Sequence, residues 1–141
     1  YGQSELVKKL CAEFQTTDTC AVHVRGGDIV GPGRAFFERA LVRMEKERPG
    51  LRYLVFTNDK EAAKEALEGE HTERKMTYIS ELGAFSDIDE FFLMAACRHQ
   101  IISNSSYSTW AAYLNPNPEK VVIMPEYKGC EQIRLKEWIV L

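Results

Sequence analysis

Short apolar runs alternate with helical patterns along this chain, and that alternation restricts the fold more than any other feature. Runs rich in β-branched and aromatic residues lie at 20–24, 53–57, 76–80, 101–102 and 121–124. Between them, apolar residues recur at the three- and four-residue spacing of amphipathic helices. Five such alternations imply crossover connections and a mostly parallel sheet that helices cover on both faces. We therefore predict a doubly wound α/β fold with about five strands.

Length and composition limit both the domain count and the class of ligand. A chain of 141 residues without repeats or low-complexity segments is expected to form a single domain over 1–141. No apolar run approaches the roughly 18 residues that a membrane span needs, so we predict no span in this chain. The net charge of −3 provides no broad basic surface for a nucleic acid. A small phosphorylated ligand, held by a few local groups, fits this composition better.

The cysteines and histidines indicate a reducing compartment and no structural metal. The four cysteines form no C-x-x-C pair, and the three histidines have no metal-ligand spacing. We predict free thiols, with Cys20 and Cys97 packed as small core residues. No signal peptide is visible, so we expect a cytoplasmic protein, with peripheral membrane association left open. Because the chain opens directly in a helical pattern, we also expect an upstream segment.

Polar clusters follow three of the predicted strands at their carboxyl ends, at residues 23–28, 57–59 and 103–106. In an open parallel sheet, ligands bind outside these ends, where helix N-termini favour anions. Three polar loops on one edge of the sheet therefore predict one binding site. Neither a G-x-G-x-x-G nor a G-x-x-x-x-G-K-[ST] motif occurs in the sequence.

Arg25 is the strongest candidate in the first cluster, because a guanidinium can bridge diphosphate oxygens and two glycines follow it. The alternative is an arginine that pairs with Asp28 across a tight turn. His23 could donate a hydrogen bond to a base or a phosphate. Its alternative is a hydrogen-bonded core histidine, which the pattern favours.

Ser105 and Ser106 precede a predicted helix, where their hydroxyl and N–H groups could bind a phosphate or cap the helix. Glu90 heads a helix on the same edge of the sheet. Its carboxylate could accept hydrogen bonds from a guanine edge or simply stabilise the helix dipole.

Tyr107, Trp110 and Tyr113 recur at three-residue intervals along the same predicted helix. This spacing is more typical of helix packing than of a platform for base stacking, so we predict that these aromatic rings belong to the core.

Several segments together resemble the α-1,2-fucosyltransferases of glycosyltransferase family 11. Residues 23–28, H-V-R-G-G-D, are similar to the family motif H-x-R-R-G-D. Residues 90–115, E-F-F-L-M-A-A-C-R-H-Q-I-I-S-N-S-S-Y-S-T-W-A-A-Y-L-N, are similar along their whole length to D-L-x-L-M-S-x-C-x-H-x-I-I-x-N-S-S-F-S-W-W-G-A-W-L-N. Residues 53–59 and 121–125 resemble two further family strands, and order and spacing agree from about residue 19 to about residue 128.

The resemblance implies a GT-B-like enzyme whose Rossmann-like C-terminal domain binds GDP-fucose. Such an enzyme transfers fucose with inversion to a hydroxyl of a glycan acceptor and requires no metal or other cofactor. Carried over by position, Arg25 would hold the diphosphate and stabilise the departing GDP. His23 and Glu90 would face the guanosine, and Ser105 and Ser106 would meet the β-phosphate.

This sequence departs from the family pattern at informative positions. Gly26 stands where the family has its second arginine, and Glu90 replaces an aspartate. The glycine loop that opens family members is not among these 141 residues, so we expect the acceptor half to lie upstream. An inverting transfer needs a base for the acceptor hydroxyl, and Asp28 is the carboxylate close to Arg25 in sequence.

Two other functions follow from the same residues. With Gly26 in place of an arginine, the chain could be a catalytically inactive nucleotide-sugar-binding module. A third interpretation is a flavodoxin-like regulatory domain in which Asp28 and Asp59 form an acidic pocket, although Arg25 between them argues against it. The sequence does not determine the oligomeric state.

Overall fold

The computed structural model of this chain describes residues 4–25, 32–67 and 76–141. Helices and strands alternate along these residues, as the sequence pattern predicts. The elements in chain order are α1 (Glu5–Thr16), β1 (Thr19–Val24), α2 (Arg34–Glu47), β2 (Arg52–Thr57), α3 (Lys60–Leu67), β3 (Met76–Tyr78), α4 (Asp87–Ala96), β4 (His99–Ile101), α5 (Ser106–Leu114), β5 (Val122–Met124), α6 (Cys130–Ile133) and β6 (Ile139–Val140).

The six strands form one parallel sheet in the order β3-β2-β1-β4-β5-β6. This is the Rossmann order, in which the chain first builds outward from β1 and then returns to build on its other side. The Rossmann-like, doubly wound prediction is therefore confirmed. The order differs from that of flavodoxin-like domains, so the third interpretation of the sequence does not fit this topology.

Successive side chains of β1 point alternately to the two faces of the sheet. Cys20, Val22 and Val24 pack with α2 and α3 on one face of the sheet. Ala21 packs with α1 and α4 on the other face. Because successive strand residues point to opposite faces, His23 lies on the α4 side, close to the carboxyl end of β1.

Large apolar side chains fill both layers between sheet and helices. Phe37 and Tyr53 are fully buried on the α2 side, and Phe14 and Leu93 are fully buried on the α4 side. Complete burial of each such aliphatic or phenyl side chain contributes about 1.5–3 kcal/mol. These two apolar layers fix the sheet between the helices and so position the polar ends of its strands.

Serine caps determine where three of the helices begin. The Ser4 side chain accepts from the Val7 N–H at 3.2 Å, and Ser105 caps α5 in the same way. Ser86 and Asp89 form the predicted capping box at the start of α4. Each cap contributes about 1 kcal/mol to helix stability. The caps of α4 and α5 also fix the first turns that face the carboxyl ends of the strands.

A buried amide network anchors β4 to the ends of two helices. The Gln100 Nε2 donates to the carbonyl oxygens of Met94 and Cys97, both at 3.1 Å. The Asn115 Nδ2 donates to the Gln100 Oε1 at 2.9 Å. Both amide side chains are buried, so these bonds replace the solvation that the groups lose on folding.

The short elements differ from the sequence prediction. Strand β3 ends at Tyr78, and a 3-10 turn at Ile79–Glu81 replaces the rest of the expected strand. The sequence pattern also missed α6 and β6, which have only four and two residues. All four cysteines are free thiols, and Cys20 and Cys97 are buried as predicted. Across the part of the chain that the structure describes, no helix is long and apolar enough to cross a membrane.

Candidate functional site

A polar cleft opens where the strand order reverses, at the carboxyl end of β1 and beside the helices that follow β3 and β4. Its volume is about 330 Å³, and we call it the switch-point cleft. The lining residues come from the ends of two strands and the first turns of α4 and α5, and they are His23, Arg25, Phe56, Thr57, Asn58, Asp87, Glu90 and Tyr107. Ligands of Rossmann-like domains bind at this position in the sheet.

Arg25 follows β1 directly and lines this cleft. Its Nε is buried, and no group in the described ranges accepts a hydrogen bond from it. A buried donor without an acceptor is costly, and a bound anion would remove that cost. Asp28, the predicted catalytic base and the alternative partner of Arg25, lies outside the described residues, as does Gly26.

His23 is buried at the floor of the site, with 6% of its surface exposed. Its Nδ1 lies 2.8 Å from the Ser103 Oγ, so the strand ends of β1 and β4 are joined by this bond. Burial, together with the nearby Arg25 guanidinium, lowers the pKa of His23 from 6.5 to about 4. The ring is therefore neutral near pH 7. When the Ser103 hydroxyl donates to Nδ1, the Nε2 carries the proton and can donate to a ligand.

The structure therefore confirms the alternative interpretation of His23 as a hydrogen-bonded, buried histidine. The same side chain also lines the switch-point cleft. The two interpretations are compatible, because only one ring nitrogen is bound to Ser103. Contact between His23 and a nucleotide stays a prediction.

Glu90 lies one residue beyond the capping box of α4 and lines the switch-point cleft. Burial, followed by repulsion from the Asp87 carboxylate, raises the pKa of Glu90. Glu90 and Thr57 also line a neighbouring cleft of about 250 Å³, which we call the side cleft. Apolar residues such as Val55 and Phe85 form part of its wall. A carboxylate between a polar and a more apolar cleft can accept hydrogen bonds from a ligand that occupies both.

Tyr107 contributes to the site in a way that the sequence analysis missed. Its hydroxyl donates to the Asp87 carbonyl oxygen at 2.7 Å and so ties α5 to α4. Its ring lies 5.6 Å from that of His23 and 5.5 Å from that of Phe91, measured between centroids. Burial and the nearby carboxylates of Glu90 and Asp87 raise the pKa of Tyr107. The aromatic ring forms one wall of the switch-point cleft.

The prediction that all three aromatic residues of α5 belong to the core is wrong for Trp110, which is 59% exposed. Tyr113 packs on Trp138 with ring centroids 5.0 Å apart. Tyr107 is a wall of the cleft, as described above. The helix therefore turns these three rings in different directions.

Ser105 and Ser106 lie at the N-terminus of α5, beside the switch-point cleft but not in its lining. Ser105 accepts a hydrogen bond from the Tyr107 N–H at 3.2 Å, which confirms the capping interpretation. The exposed Ser106 begins the helix. A phosphate at this N-terminus would benefit from the helix dipole, and the predicted phosphate contact stays a prediction.

No metal centre was predicted. Among residues 4–25, 32–67 and 76–141, the His, Cys, Asp and Glu side chains form no group of three or more that could hold a metal ion. The expectation of a metal-independent reaction stays a prediction.

Strand order and the polar crevice at the switch point together define a Rossmann-like domain of the kind that binds nucleotides. The chain belongs to glycosyl transferase family 11, whose model matches residues 5–141. It is 29% identical over 130 residues to the O-antigen biosynthesis glycosyltransferase WbnK of Escherichia coli. The match covers 84% of this chain and 40% of that relative, so the chain spans less than half of the relative's length.

Proposed function

We propose that this chain is the donor-binding domain of an α-1,2-type fucosyltransferase, and that its switch-point cleft binds GDP-fucose. The observation that carries the proposal is Arg25, which lines the cleft and whose buried Nε has no acceptor among the described residues. Membership of glycosyl transferase family 11 supports glycosyl transfer as the reaction class. A two-domain GT-B arrangement, with the acceptor half outside this chain, is part of the proposal.

The proposed orientation of the nucleotide follows from the lining of the clefts. The Arg25 guanidinium binds the diphosphate, and the N-terminus of α5 at Ser105 and Ser106 meets the β-phosphate. The guanine ring lies toward α4, where the Glu90 carboxylate accepts hydrogen bonds from the base. The neutral His23 ring donates from its Nε2 to the guanosine.

The proposed reaction is a single displacement with inversion. The oxygen of the acceptor hydroxyl forms a bond to the anomeric carbon of fucose, and the bond from that carbon to the β-phosphate oxygen breaks. GDP leaves with the electron pair, and the Arg25 guanidinium stabilises its added negative charge. A base takes the proton of the acceptor hydroxyl, and we assign this role to Asp28 from its position in the sequence.

Calorimetric titration of the protein with GDP, GDP-fucose, UDP and ADP tests the proposal. We expect micromolar affinity for GDP and GDP-fucose, about −8 kcal/mol, and much weaker binding of UDP and ADP. Absence of GDP binding at millimolar concentration would contradict the donor-site assignment.

A binding module that does not transfer fucose is the alternative function, because Gly26 removes one positive charge from the family motif. Both functions predict GDP binding. Turnover of GDP-fucose by the full-length protein, with the proposed acceptor half and a mixture of glycan acceptors present, separates them, since the module would bind the donor and leave it intact.

Glu90→Gln is expected to reduce the preference for guanine. A carboxylate can accept from both the ring N–H and the 2-amino group of guanine, whereas inosine diphosphate lacks the amino group. The unsubstituted protein should therefore prefer GDP over inosine diphosphate by about tenfold or more, and the variant should lose most of that preference. Titration with both nucleotides measures the effect, and Glu81→Gln is the control because Glu81 is an exposed carboxylate outside the clefts.

The same interaction predicts a pH dependence. Because the pKa of Glu90 is raised, its carboxylate gains a proton at a higher pH than an ordinary glutamate does. The contribution of Glu90 to GDP affinity should be full above that pKa and should fall as the pH drops through it. A pH profile of GDP affinity that is the same in Glu90→Gln and in the unsubstituted protein would contradict the assignment.

A further inference from the structure

A further cleft opens on the same edge of the sheet, on the other side of the loop between β4 and α5 from the switch-point cleft. Its volume is about 260 Å³, and we call it the rim cleft. Phe36 and Arg39 of α2 line one side, Asn104 lines the loop side, and residues 125–127 after β5 complete it. The lining of the switch-point cleft includes none of these side chains, and Phe36, Arg39, Glu126 and Tyr127 lie outside the segments quoted for the family resemblance.

The loop between β4 and α5 separates the two clefts through alternating side chains. Ser103 turns toward His23, at the floor of the switch-point cleft. Asn104 lines the rim cleft. Ser105 and Ser106, the proposed contacts of the β-phosphate, follow at once. Asn104 is adjacent to Ser105 in sequence, so the rim cleft and the proposed phosphate position lie on one short loop.

The side chains of the rim cleft suit a neutral, hydroxyl-rich ligand. The exposed Arg39 and Glu126 carry opposite charges, so the cleft has no excess of cations for a further phosphate. A guanidinium donates and a carboxylate accepts, while the Asn104 amide does both, and sugar hydroxyls match all three. The partly exposed Tyr127 adds aromatic surface for the C–H face of a sugar ring, and the largely buried Phe36 also lines the cleft.

We propose that the rim cleft binds a sugar ring, with Arg39 as a specificity-determining contact. The proposal rests on the proposed function, because it places the sugar next to the diphosphate held by Arg25 and the start of α5. The sugar is either the fucose of the donor or a ring of the glycan acceptor. Both have the same chemistry, and the experiment separates them.

The test compares Arg39→Ala with Arg43→Ala in the otherwise intact protein. Arg43 is the matched control, because it lies one turn further along α2, pairs with Glu47 and does not line the cleft. One arm measures the ratio of GDP-fucose affinity to GDP affinity by calorimetric titration. The other measures saturation-transfer NMR signals of methyl glucoside, galactoside, mannoside and N-acetylglucosaminide in the presence of GDP.

We expect Arg39→Ala to leave GDP affinity unchanged and to weaken sugar binding by about tenfold, the effect of one hydrogen bond to a charged group. A lower affinity ratio identifies the donor fucose as the ligand, and weaker glycoside signals identify the acceptor. If GDP binds normally and Arg39→Ala changes neither readout relative to Arg43→Ala, the rim-cleft proposal is wrong while the proposed function stands. Failure of the unsubstituted protein to bind GDP would instead contradict the proposed function and, with it, the sugar assignment.

Discussion

Arg25→Ala is expected to weaken GDP binding by about 100-fold. The guanidinium is the cation of the switch-point cleft, and a charge-assisted contact to a phosphate contributes about 3 kcal/mol. Arg25→Lys should recover part of the affinity, because an ammonium keeps the charge but loses the two parallel donors of the fork. Calorimetric titration with GDP measures all three proteins, with Arg43→Ala as the control.

Thermal unfolding separates loss of binding from loss of structure. Because the buried Nε of Arg25 has no acceptor within the described residues, its removal should leave the melting temperature of the nucleotide-free protein unchanged or slightly raised. In a transfer assay of the full-length protein, which includes the proposed acceptor half, the same substitution should lower kcat/KM by roughly 100- to 1000-fold, as removal of a preorganised donor to a developing anion does. GDP affinity within twofold of the unsubstituted protein would show that Arg25 does not hold the diphosphate.

The fold could be predicted because long elements leave clear patterns. Strand β1 is buried along its whole length, and after Thr19 its sequence is a continuous apolar run except at His23. That single polar residue is also a member of the site. Helix α2 shows the expected stripe of apolar residues, all of which are buried. By contrast, the two residues of β6 are too few for any periodicity, and only pairing with β5 reveals the strand.

Much of the candidate site could be predicted as well, because topology brings the carboxyl ends of parallel strands to one edge. His23, Arg25 and Glu90 were predicted from sequence, and the structure brings all three into one cleft. Thr57 and Asn58 belong to a polar cluster that the sequence analysis placed on the same edge. Asp28 lies outside the described residues, and its proposed role as the base rests on its position in the sequence.

The role of Tyr107 could not be predicted from spacing alone. Each residue turns an α-helix by about 100°, so residues three apart point in directions that differ by about 60°. Along α5 this rotation takes Tyr107 into the switch-point cleft, Trp110 to the surface and Tyr113 onto Trp138. Which direction each ring faces depends on where α4 and the C-terminal segment lie, and the sequence of α5 does not contain that information.

Low pH should destabilise the protein strongly, because two buried histidine side chains are neutral in the folded state. The Nδ1 of His23 is hydrogen-bonded to the Ser103 hydroxyl, and the Nδ1 of His99 accepts from the Val121 N–H at 2.9 Å. Burial, with contributions from nearby arginines, lowers the pKa of each histidine from 6.5 to about 4. The unfolded chain therefore binds more protons than the folded chain between these values, so stability is full above pH 6.5 and declines as the pH falls toward 4.

The expected loss is large relative to the total stability of a domain of this size. A tenfold change in proton affinity corresponds to about 1.4 kcal/mol, so His23 alone should account for roughly 3 kcal/mol between pH 7 and pH 4. The His99 side chain is equally inaccessible to solvent, but fewer protein atoms surround its ring, so we expect a smaller share of about 1–2 kcal/mol. Urea unfolding at pH 7, 5.5 and 4.5 measures the decline in the free energy of unfolding.

His99→Asn isolates one histidine from the carboxylates that also titrate in this range. The asparagine Oδ1 can replace Nδ1 as the acceptor for the Val121 N–H, and it does not titrate. The variant should therefore lose less stability than the unsubstituted protein as the pH falls, by about 1–2 kcal/mol, even if it starts lower at pH 7 because the side chain is smaller. Parallel pH profiles for the two proteins would show that His99 keeps an ordinary pKa in the folded state.

His23 links the strand ends of β1 and β4 beneath the proposed nucleotide site, so its protonation should also weaken GDP binding. His23→Asn should therefore make GDP affinity less dependent on pH in the range where His23 titrates.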